Sequence, residues 1–298
     1  MKIYFCCYQG IILKILQLAH SPDADDIFMY YAIKFGWVKG NLGFENHALD
    51  IQTLNHEALK GTYDVSAISF ALYPLIRNDY ALLRTAVSFG EGYGPKIVKK
   101  KGIKLKRNFK AALSGAHTTN ALLFQAAYPD AKIIYRNFLD IEKSVLSGET
   151  DAGVLIHENI LSFDKNLEVE REIWDIWIDI TKSDLPLPLG GMALRRSMPL
   201  LRACECEEIL TKAVLTAIKC KKQLSKMLLE RNLVRVDDKM LEKYLNLYAN
   251  DKSVSMSEKQ LDAVDKLFEI GFNIGFYDEK IYSRDHLIPL EYKAERYS

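Results

Sequence analysis

The stretch GEGYGP (90–95) places three glycines and one proline within six residues. A second Pro/Gly-rich stretch, LPLPLGG (185–191), interrupts the chain further on. Such runs break helices and strands and favour a change of domain. We therefore predict a discontinuous first domain, 14–94 plus 190–298, and an inserted second domain, 95–189. A ligand would lie in the cleft between the two domains, where pockets tend to form.

Apolar runs alternate with helical patterns on both sides of the first crossing, which indicates an α/β fold. The predicted strands are KILQLAH (14–20), YDVSAIS (63–69), ALLRTAVSF (81–89), FKAALSG (109–115), AKIIYR (131–136) and DAGVLI (151–156). In the central unit this alternation predicts a mainly parallel sheet. Among the predicted helices, TLNHEALKG (53–61) has Thr53 as its N-cap and Gly61 as its stop. The last third is helical over about 199–230, 237–249 and 257–271, and Gly271 and Gly275 end the last helix.

The composition of the 298 residues argues against several classes of protein. Lys plus Arg number 40 and Asp plus Glu 39, so no bulk charge favours nucleic acid or an anionic membrane. The lysine-rich run at 96–110 lacks the interleaved aromatic residues of a base-stacking surface, and we interpret it as a solvated loop. The five cysteines fit neither a disulfide framework nor a zinc site. Reduced thiols and a cytoplasmic location are the simplest interpretation.

The first residues, MKIYFCCYQGII, are apolar but carry no small-residue cleavage pattern. A first strand would begin naturally at Leu13, and an alternative start codon at this position would be read as leucine. We therefore predict that residues 1–13 are an extension, of which 1–12 are unstructured or the product of a misassigned start.

Polar side chains follow the first predicted strand in HSPDADDIF (20–28), where a helix begins. Ser21 and Asp23 are of types that cap helices, and either capping alone or contact with a polar ligand would explain them. Asp25 is a further candidate contact in this turn. The three aspartates of this stretch lack the glycine and the distal glutamate of a calcium loop, so no metal site is predicted.

Two other strand ends carry hydroxyl groups. Thr118, Thr119 and Asn120 follow a strand and open a helix, where hydroxyls and amides suit a ligand carboxylate or sugar hydroxyl. Capping explains one of the two threonines. Ser66 and Ser69 point to opposite faces of a regular strand, and we favour Ser69 as the one that faces the cleft.

His157 ends the predicted strand DAGVLI at the edge where open α/β sheets bind ligands. Imidazole is well suited to take a proton near neutral pH, since its unperturbed pKa is about 6.5. His157 is therefore the candidate general base, although a satisfied histidine at a strand end would give the same pattern. Glu158 could orient it, and His20 is a second candidate because it also ends a strand. No His/Cys spacing predicts a metal ligand set.

Five motifs in order resemble the 1,4-dihydroxy-6-naphthoate synthase family of the futalosine route to menaquinone. They are HSPDADDIFMYYA (20–32), GYGPKIV (92–98), HTTNALLF (117–124), GETDAGVLIHE (148–158) and LPLPLGGMALRR (185–196). The resemblance runs from about Leu13 to the helix that ends at Gly271 and thus covers nearly the whole chain. The family often has a proline–asparagine pair where this chain has Ala24-Asp25, which leaves the role of the aspartates open.

This resemblance implies a two-domain fold like that of type II periplasmic binding proteins, and a lyase that acts on cyclic dehypoxanthine futalosine. It also implies that His157 is the general base and that two turns line the substrate site. These turns comprise Ala67, Ile68, Ser69, Thr118, Thr119 and Asn120. We expect a small-molecule partner, no cofactor, no metal, and no nucleic-acid or membrane partner. The sequence also allows a homodimer.

Two alternatives to this reaction stay open. Chorismate dehydratase of the same pathway would share the architecture, although SPDADD (21–26) and LIHE (155–158) favour the naphthoate synthase. A non-catalytic solute-binding protein would share the fold, since function lies in sites and not in folds. We expect neither an export signal nor a lipid-attachment cysteine here, which argues against that class.

Overall fold

The computed structural model describes the backbone of residues 5–8 and 11–290, and the side chains of residues 15–290. The strands are β1 Phe5–Tyr8, β2 Ile11–His20, β3 Gly43–Ala48, β4 Val65–Ser69, β5 Tyr80–Leu82, β6 Ser88–Gly90, β7 Lys96–Lys100, β8 Lys110–Leu113, β9 Lys132–Tyr135, β10 Ala152–Leu155, β11 Leu167–Glu172 and β12 Leu187–Arg195. The α-helices are α1 Ala24–Lys34, α2 Ile51–Leu59, α3 Tyr73–Ile76, α4 Thr119–Ala127, α5 Ile141–Ser147, α6 Ile173–Thr181, α7 Leu200–Lys219, α8 Lys221–Glu230, α9 Asp238–Tyr248 and α10 Glu258–Asn273. Among these residues, no helix combines the length and the apolar character needed to cross a bilayer.

The strands form two sheets. The first has seven strands in the order β1-β2-β4-β12-β5, with β3 paired to β2 and β6 paired to β12. The second has five strands in the order β11-β7-β10-β8-β9. All strands of the second sheet lie between Lys96 and Glu172, whereas β12 crosses the boundary predicted at 189/190. The domain boundaries themselves stay a prediction.

Both sheets are mixed, and the prediction of a mainly parallel second sheet is confirmed for its three predicted strands, β8, β9 and β10. In that sheet β8 pairs in parallel with β9 and β10, but β7 is antiparallel to both β10 and β11. Strand β7 lies in the lysine-rich run that was interpreted as a solvated loop, so that interpretation is wrong for Lys96–Lys100, where Ile97 and Val98 are fully buried. The parallel strands direct their carboxyl ends toward the cleft described below, because β2, β4, β8 and β10 each end in residues that line it or immediately precede them.

Several local predictions were wrong for identifiable reasons. The run at 81–89 is divided into β5 and β6, and between them Ala86 has a left-handed φ of 55° that no regular strand accommodates. Helix α2 is capped by Asp50, whose Oδ1 accepts from the backbone of Gln52 and Thr53, so Thr53 is not the cap. Gly271 lies inside α10 instead of ending it.

The predicted extension is partly ordered as a strand. Residues 5–8 pair antiparallel with residues 11–14 at the edge of the first sheet, so the expectation of an unstructured segment is wrong for them. Residues 1–4 and 9–10 of that prediction lie outside the described residues.

Buried apolar side chains join the two halves of the molecule. One cluster contains Phe70 and Phe268 of the predicted first domain together with Ile97 and Phe124 of the predicted second domain. Trp177 of α6 is fully buried in the same cluster, and its indole N–H donates to the carbonyl of Leu185 at 2.8 Å. This buried cluster therefore packs the two sheets together, and the ends of their strands line the cleft.

Candidate active site

A cleft of about 750 Å³, including its open mouth, lies between the two sheets. The predicted site residues that line it are Ser21, Asp25, Ala67, Ile68, Ser69, Thr118, Thr119, Asn120 and His157. The structure therefore brings together strand ends that are far apart in sequence. Of the predicted residues, His20 and Glu158 do not line the cleft.

Unpaired polar atoms concentrate in this cleft. Among the described side chains, eight have a buried polar atom without a hydrogen-bond partner, and five of the eight line the cleft. These five are Ser21, Asp25, Ser114, Asn120 and His157. Because buried polar groups are normally paired, their concentration in one cavity indicates a site built for a polar ligand.

His157 is held in an unusual backbone conformation at the end of β10. Its φ of 54° lies in the left-handed region, which costs free energy for a residue with a side chain. Its Nδ1 lies 2.6 Å from Oδ2 of Asp23, and the edge of its ring packs on Phe138 with 4.9 Å between centroids. Nε2 is buried and has no hydrogen-bond partner among the described residues, and His157 lines the cleft. Such strain at a polar cavity is typical of a functional residue.

Asp23 sets both the tautomer and the basicity of His157. With Nδ1–H donating to the carboxylate, Nε2 presents its lone pair to the cleft. Burial disfavours the imidazolium form, but the charge of Asp23 and the hydrogen bond outweigh it, so the pKa of His157 is raised. Burial alone would raise the pKa of Asp23, yet the contact with His157 lowers it to about 2. An aspartate that orients a histidine in this way is a general arrangement for proton transfer.

The sequence identified Asp23 as a helix cap but not as the partner of His157. Its backbone does form the N-cap of α1, and its Oδ1 accepts from Asp26 N–H at 3.3 Å. The other carboxylate oxygen crosses the cleft to His157. Local sequence patterns carry no signal for that contact, because 134 positions separate the two residues.

Glu158 also attaches to the start of α1, and its charge adds to the raised pKa of His157. Its Oε1 accepts from Ala24 N–H at 3.0 Å, and Arg235 lies 3.5 Å from its other oxygen. Arg235 in turn lies over the ring of Phe138 at 5.1 Å. The turn that carries His157 is therefore fastened to α1 by two adjacent residues.

The structure contradicts the expectation that His20 could face the cleft. Its Nδ1 lies 2.6 Å from the carbonyl oxygen of Ser21, and Asn46 approaches its Nε2 at 2.6 Å. Burial lowers the pKa of His20, and both ring nitrogens are engaged. It lines a smaller cavity with Tyr30 and Met192 behind the cleft.

The two hydroxyls of the α4 turn are used by the fold. Thr118 is the N-cap: it accepts from Ala121 N–H at 3.1 Å and donates to the carbonyl of Gly115 at 3.0 Å. Thr119 donates to the carbonyl of Leu189 at 3.2 Å and so ties α4 to β12. Asn120 keeps an unpaired Oδ1. The start of α4 thus offers the cleft an amide side chain and the positive end of a helix.

Ser69 and Ser66 separate as predicted from the strand period. Ser69 lines the cleft and its hydroxyl accepts from the Asn55 amide at 3.1 Å. Ser66 is fully buried and donates to the carbonyl of Ala67 at 3.0 Å.

Tyr244 and Tyr248 of α9 complete the lining, and sequence analysis missed both. Their four-residue spacing puts them on one face of the helix, and such a pair is more often part of a core. Both phenols are buried, which raises the pKa of each well above its usual range. They are therefore neutral at physiological pH.

Three carboxyl groups lie together at the start of α1. Those of Asp23, Asp25 and Asp26 have oxygens within 4.8 Å of one another. Asp26 accepts from Ser21 N–H at 2.8 Å, and Oδ1 of Asp25 has no partner. Burial and the charge of Asp23 raise the pKa of Asp26 to about 8. Burial, then the charges of Asp23 and Asp26, raise the pKa of Asp25 well above its usual range.

Comparisons with known proteins point to one family. A sequence model described as "Menaquinone biosynthesis" matches residues 16–273. A 1,4-dihydroxy-6-naphthoate synthase of Thermus thermophilus is 27% identical over 261 residues, which are 86% of this chain and 93% of that protein. A synthase of the same name from Streptomyces coelicolor is 27% identical and covers 84% of this chain and 90% of its own length.

Solved structures place the fold. A protein of Archaeoglobus fulgidus, 33% identical, superposes with a TM-score of 0.82 over 88% of this chain and 98% of its own. The ligand-binding component of an import system from Staphylococcus aureus, 10% identical, has a TM-score of 0.67 over 92% and 96% of the two chains. The second likeness bears on the fold alone. It confirms the predicted α/β fold of the periplasmic-binding-protein type.

Proposed function

The chain belongs to the menaquinone biosynthesis family, and from that premise we propose that it is a carbon–carbon lyase that converts cyclic dehypoxanthine futalosine to 1,4-dihydroxy-6-naphthoate. An enzymatic role in menaquinone biosynthesis follows from the two synthases to which it is similar. The observation that carries the finer proposal is the position of His157. Its Nε2 is unpaired in the cleft while its Nδ1 is bound to Asp23.

In this proposal His157 is the general base. The substrate enters between the two sheets, and Nε2 removes a proton from it. Asp23 stabilises the imidazolium that forms, because their 2.6 Å contact becomes an ion pair on proton transfer. Proton removal leads to bond cleavage with loss of the sugar remnant, and formation of the aromatic ring favours the products.

The cleft would hold the polar groups of the substrate at the start of α4, which follows β8 beside the strand that carries His157. The first turn of α4 and the side chain of Asn120 suit a carboxylate, since helix N-termini attract anions. Ala67, Ile68 and Ser69 at the end of β4 would contact the ring system, with Tyr244 and Tyr248 facing them. Positioning of this kind, together with one base, can supply a large rate factor. No step of this proposal requires a cofactor or a metal.

The test is a direct assay with a base variant. Purified protein is mixed with cyclic dehypoxanthine futalosine, and 1,4-dihydroxy-6-naphthoate is quantified for the wild type and for His157→Gln. We expect product from the wild type and a loss of at least about 1,000-fold in kcat for the variant. Circular dichroism of the variant checks that it is folded.

Other results of this assay point to the alternatives. Similar kcat values for both proteins would keep the reaction and refute His157 as the base. No product from a folded wild type, with turnover of chorismate, would indicate the dehydratase of the same pathway. Ligand binding without turnover of either compound would indicate a solute-binding protein.

Location and assembly are further parts of the proposal. We propose that the enzyme works in the cytoplasm on a small-molecule substrate, without a nucleic-acid or membrane partner. Fractionation of the natural host separates this from an exported solute-binding protein. A homodimer is compatible with the proposal, and light scattering of the purified protein measures it.

A further inference from the structure

Asp25 has a place in the cleft that the mechanism above does not use. It is the second residue of α1, is 4% exposed and lines the cleft. Its Oδ1 is buried and has no hydrogen-bond partner among the described residues. The two basic side chains of this corner, His157 and Arg235, pair with Asp23 and Glu158. Asp25 is thus a carboxyl group that faces the ligand space with one oxygen unused.

The charge count around Asp25 favours its neutral form. Four carboxyl groups meet at the start of α1, those of Asp23, Asp25, Asp26 and Glu158. Arg235 balances one of the four, and His157 balances a second only while it holds a proton. Asp26 receives a backbone N–H from Ser21, whereas Asp25 receives none at Oδ1. An ionised Asp25 would be a buried charge without a partner, and proteins normally avoid this by retaining the proton.

The other groups that face Asp25 do not offset this. Tyr244 and Tyr248 approach from α9, and Tyr93 from the crossing between the sheets. Burial raises the pKa of each phenol, so all three are neutral and none supplies a positive charge. Burial and then the charges of the neighbouring carboxylates raise the pKa of Asp25 well above its usual range. The groups around it therefore agree with the charge count.

We propose that Asp25 is a substrate-contacting residue that stays protonated and donates a hydrogen bond to the oxygen on which negative charge develops. This rests on the proposed function. His157 takes a proton from the substrate, a carbon–carbon bond breaks, and its electron pair moves through the ring to an oxygen that becomes a ring hydroxyl of the product. Asp25 stabilises that oxyanion, and the proton held by His157 returns to it. The step is balanced without another reactant.

The physical reason for this role is the pairing of a base with a neutral acid in one cavity. Sites that remove a proton next to a carbonyl use such a pair. Their surroundings move the pKa values of the two groups apart, so that one group is a base and the other stays protonated. A neutral carboxyl donates where a carboxylate would repel the developing charge. The substrate class that fits is a cyclic ketone or enone whose oxygen becomes an enolate as the bond breaks.

The first test is spectroscopic and needs no turnover. The infrared spectrum of the wild type at pH 7 is compared with those of Asp25→Asn and of Asp130→Asn. Asp130 is an exposed control that pairs with Arg107 far from the cleft. We expect the carbonyl stretch of a protonated carboxylic acid in the wild type and in the control, with intensity lost in Asp25→Asn. Equal bands in all three proteins would overturn the proposal.

The second test is kinetic. Loss of one oxyanion donor lowers kcat about 100- to 1,000-fold, so Asp25→Ala should show such a loss. Its Kd for 1,4-dihydroxy-6-naphthoate should change far less, because the contact matters most when the charge develops. Asp25→Asn keeps an N–H donor and should recover at least about tenfold in kcat over Asp25→Ala.

The results separate this inference from the proposed function. If Asp25→Asn were no faster than Asp25→Ala, or if Asp25→Ala changed kcat less than tenfold, the donor role would be wrong. Should Asp25→Ala fail to fold, Asp25→Asn still tests the proposal through its infrared band and the pH profile of its kcat. The wild-type kcat would fall at high pH as Asp25 ionises, and this fall would be absent in Asp25→Asn. A wild type that forms no product would refute the proposed function and the oxyanion role together, while the infrared band would still report on the proton.

Discussion

Replacing Asp23 by asparagine should disable His157 without removing it. An asparagine amide can donate to Nδ1, and the imidazole then carries its proton on Nε2, where the substrate needs a lone pair. The distance of 2.6 Å between Nδ1 of His157 and Oδ2 of Asp23 leaves no room for a water molecule between the two side chains. The same change of tautomer in a serine-protease triad lowers kcat about 10,000-fold. We expect a loss of about 1,000- to 10,000-fold here, or about 4–5 kcal/mol of transition-state stabilisation.

The pH dependence gives a second, independent signature of Asp23→Asn. A general base is active when deprotonated, so kcat rises with pH through the pKa of His157. Asp23 raises this pKa above 6.5, and burial alone would lower it. The midpoint of the kcat profile should therefore shift to lower pH in the variant.

Stability provides a third signature with a defined pH window. Asp23 has a folded-state pKa of about 2, so its contribution is present above its unfolded value of about 3.9 and is lost as pH falls through 2. His157 has a raised folded-state pKa, so its contribution is complete below about 6.5 and is lost as pH rises through that higher value. The difference in the free energy of unfolding between wild type and variant should be largest between about pH 4 and 6.5.

The assay for Asp23→Asn combines kcat against pH with urea unfolding at pH 5 and pH 9, and Asp130→Asn serves as the exposed control. A variant that keeps kcat within tenfold of the wild type, with an unchanged midpoint, would refute the orienting role of Asp23. A loss of kcat that is matched by the control would indicate a general effect of removing a carboxylate.

Three further predictions concern positions around the site and in the core. Glu158→Ala should lower the free energy of unfolding by about 1–3 kcal/mol, because Ala24 N–H loses its acceptor. It should also lower kcat, and Glu158→Gln should recover part of both, whereas Glu242→Ala at an exposed position of α9 should change neither. Gly271→Ala should lower the free energy of unfolding by about 1–3 kcal/mol, since its Cβ would lie 2.1 Å from Cε2 of Tyr277. Urea unfolding measures this loss, and Gly43→Ala is the control because its Cβ would make an ordinary contact with Ile15 at 3.5 Å. Tyr73→Phe should lower the free energy of unfolding by about 0.5–1.5 kcal/mol. The loss should lie toward the lower end, because Arg196 also donates to the carbonyl of Tyr80 that the Tyr73 hydroxyl binds. A larger loss would mean that Arg196 does not compensate.

Much of the fold could be predicted from sequence because its signals are local. Apolar runs such as the one that forms β4, in which all five residues are buried, identify buried strands. Asp23 was predicted as a cap-type residue together with Ser21, and capping was predicted for one of Thr118 and Thr119; the caps are Asp23 and Thr118. The separation of Ser66 from Ser69 followed from the period of two in a strand. Three of the failed predictions, at Thr53, Gly271 and Ala86, concern boundaries, which depend on neighbours brought close by folding.

The residue types at the strand ends, and hence the position of the cleft, can be read from the amino-acid sequence alone. His157, Asp25 and Asn120 were all identified because they follow apolar runs whose carboxyl ends meet at one edge. Tertiary structure alone decided what each of them does. The carboxylate of Asp23 contacts His157, and the carboxylate of Glu158 accepts a hydrogen bond from Ala24 N–H; more than a hundred residues separate the partners of each pair. Hydrogen bonding, burial and pKa depend on distances of a few ångström between segments, and a linear pattern does not contain those distances.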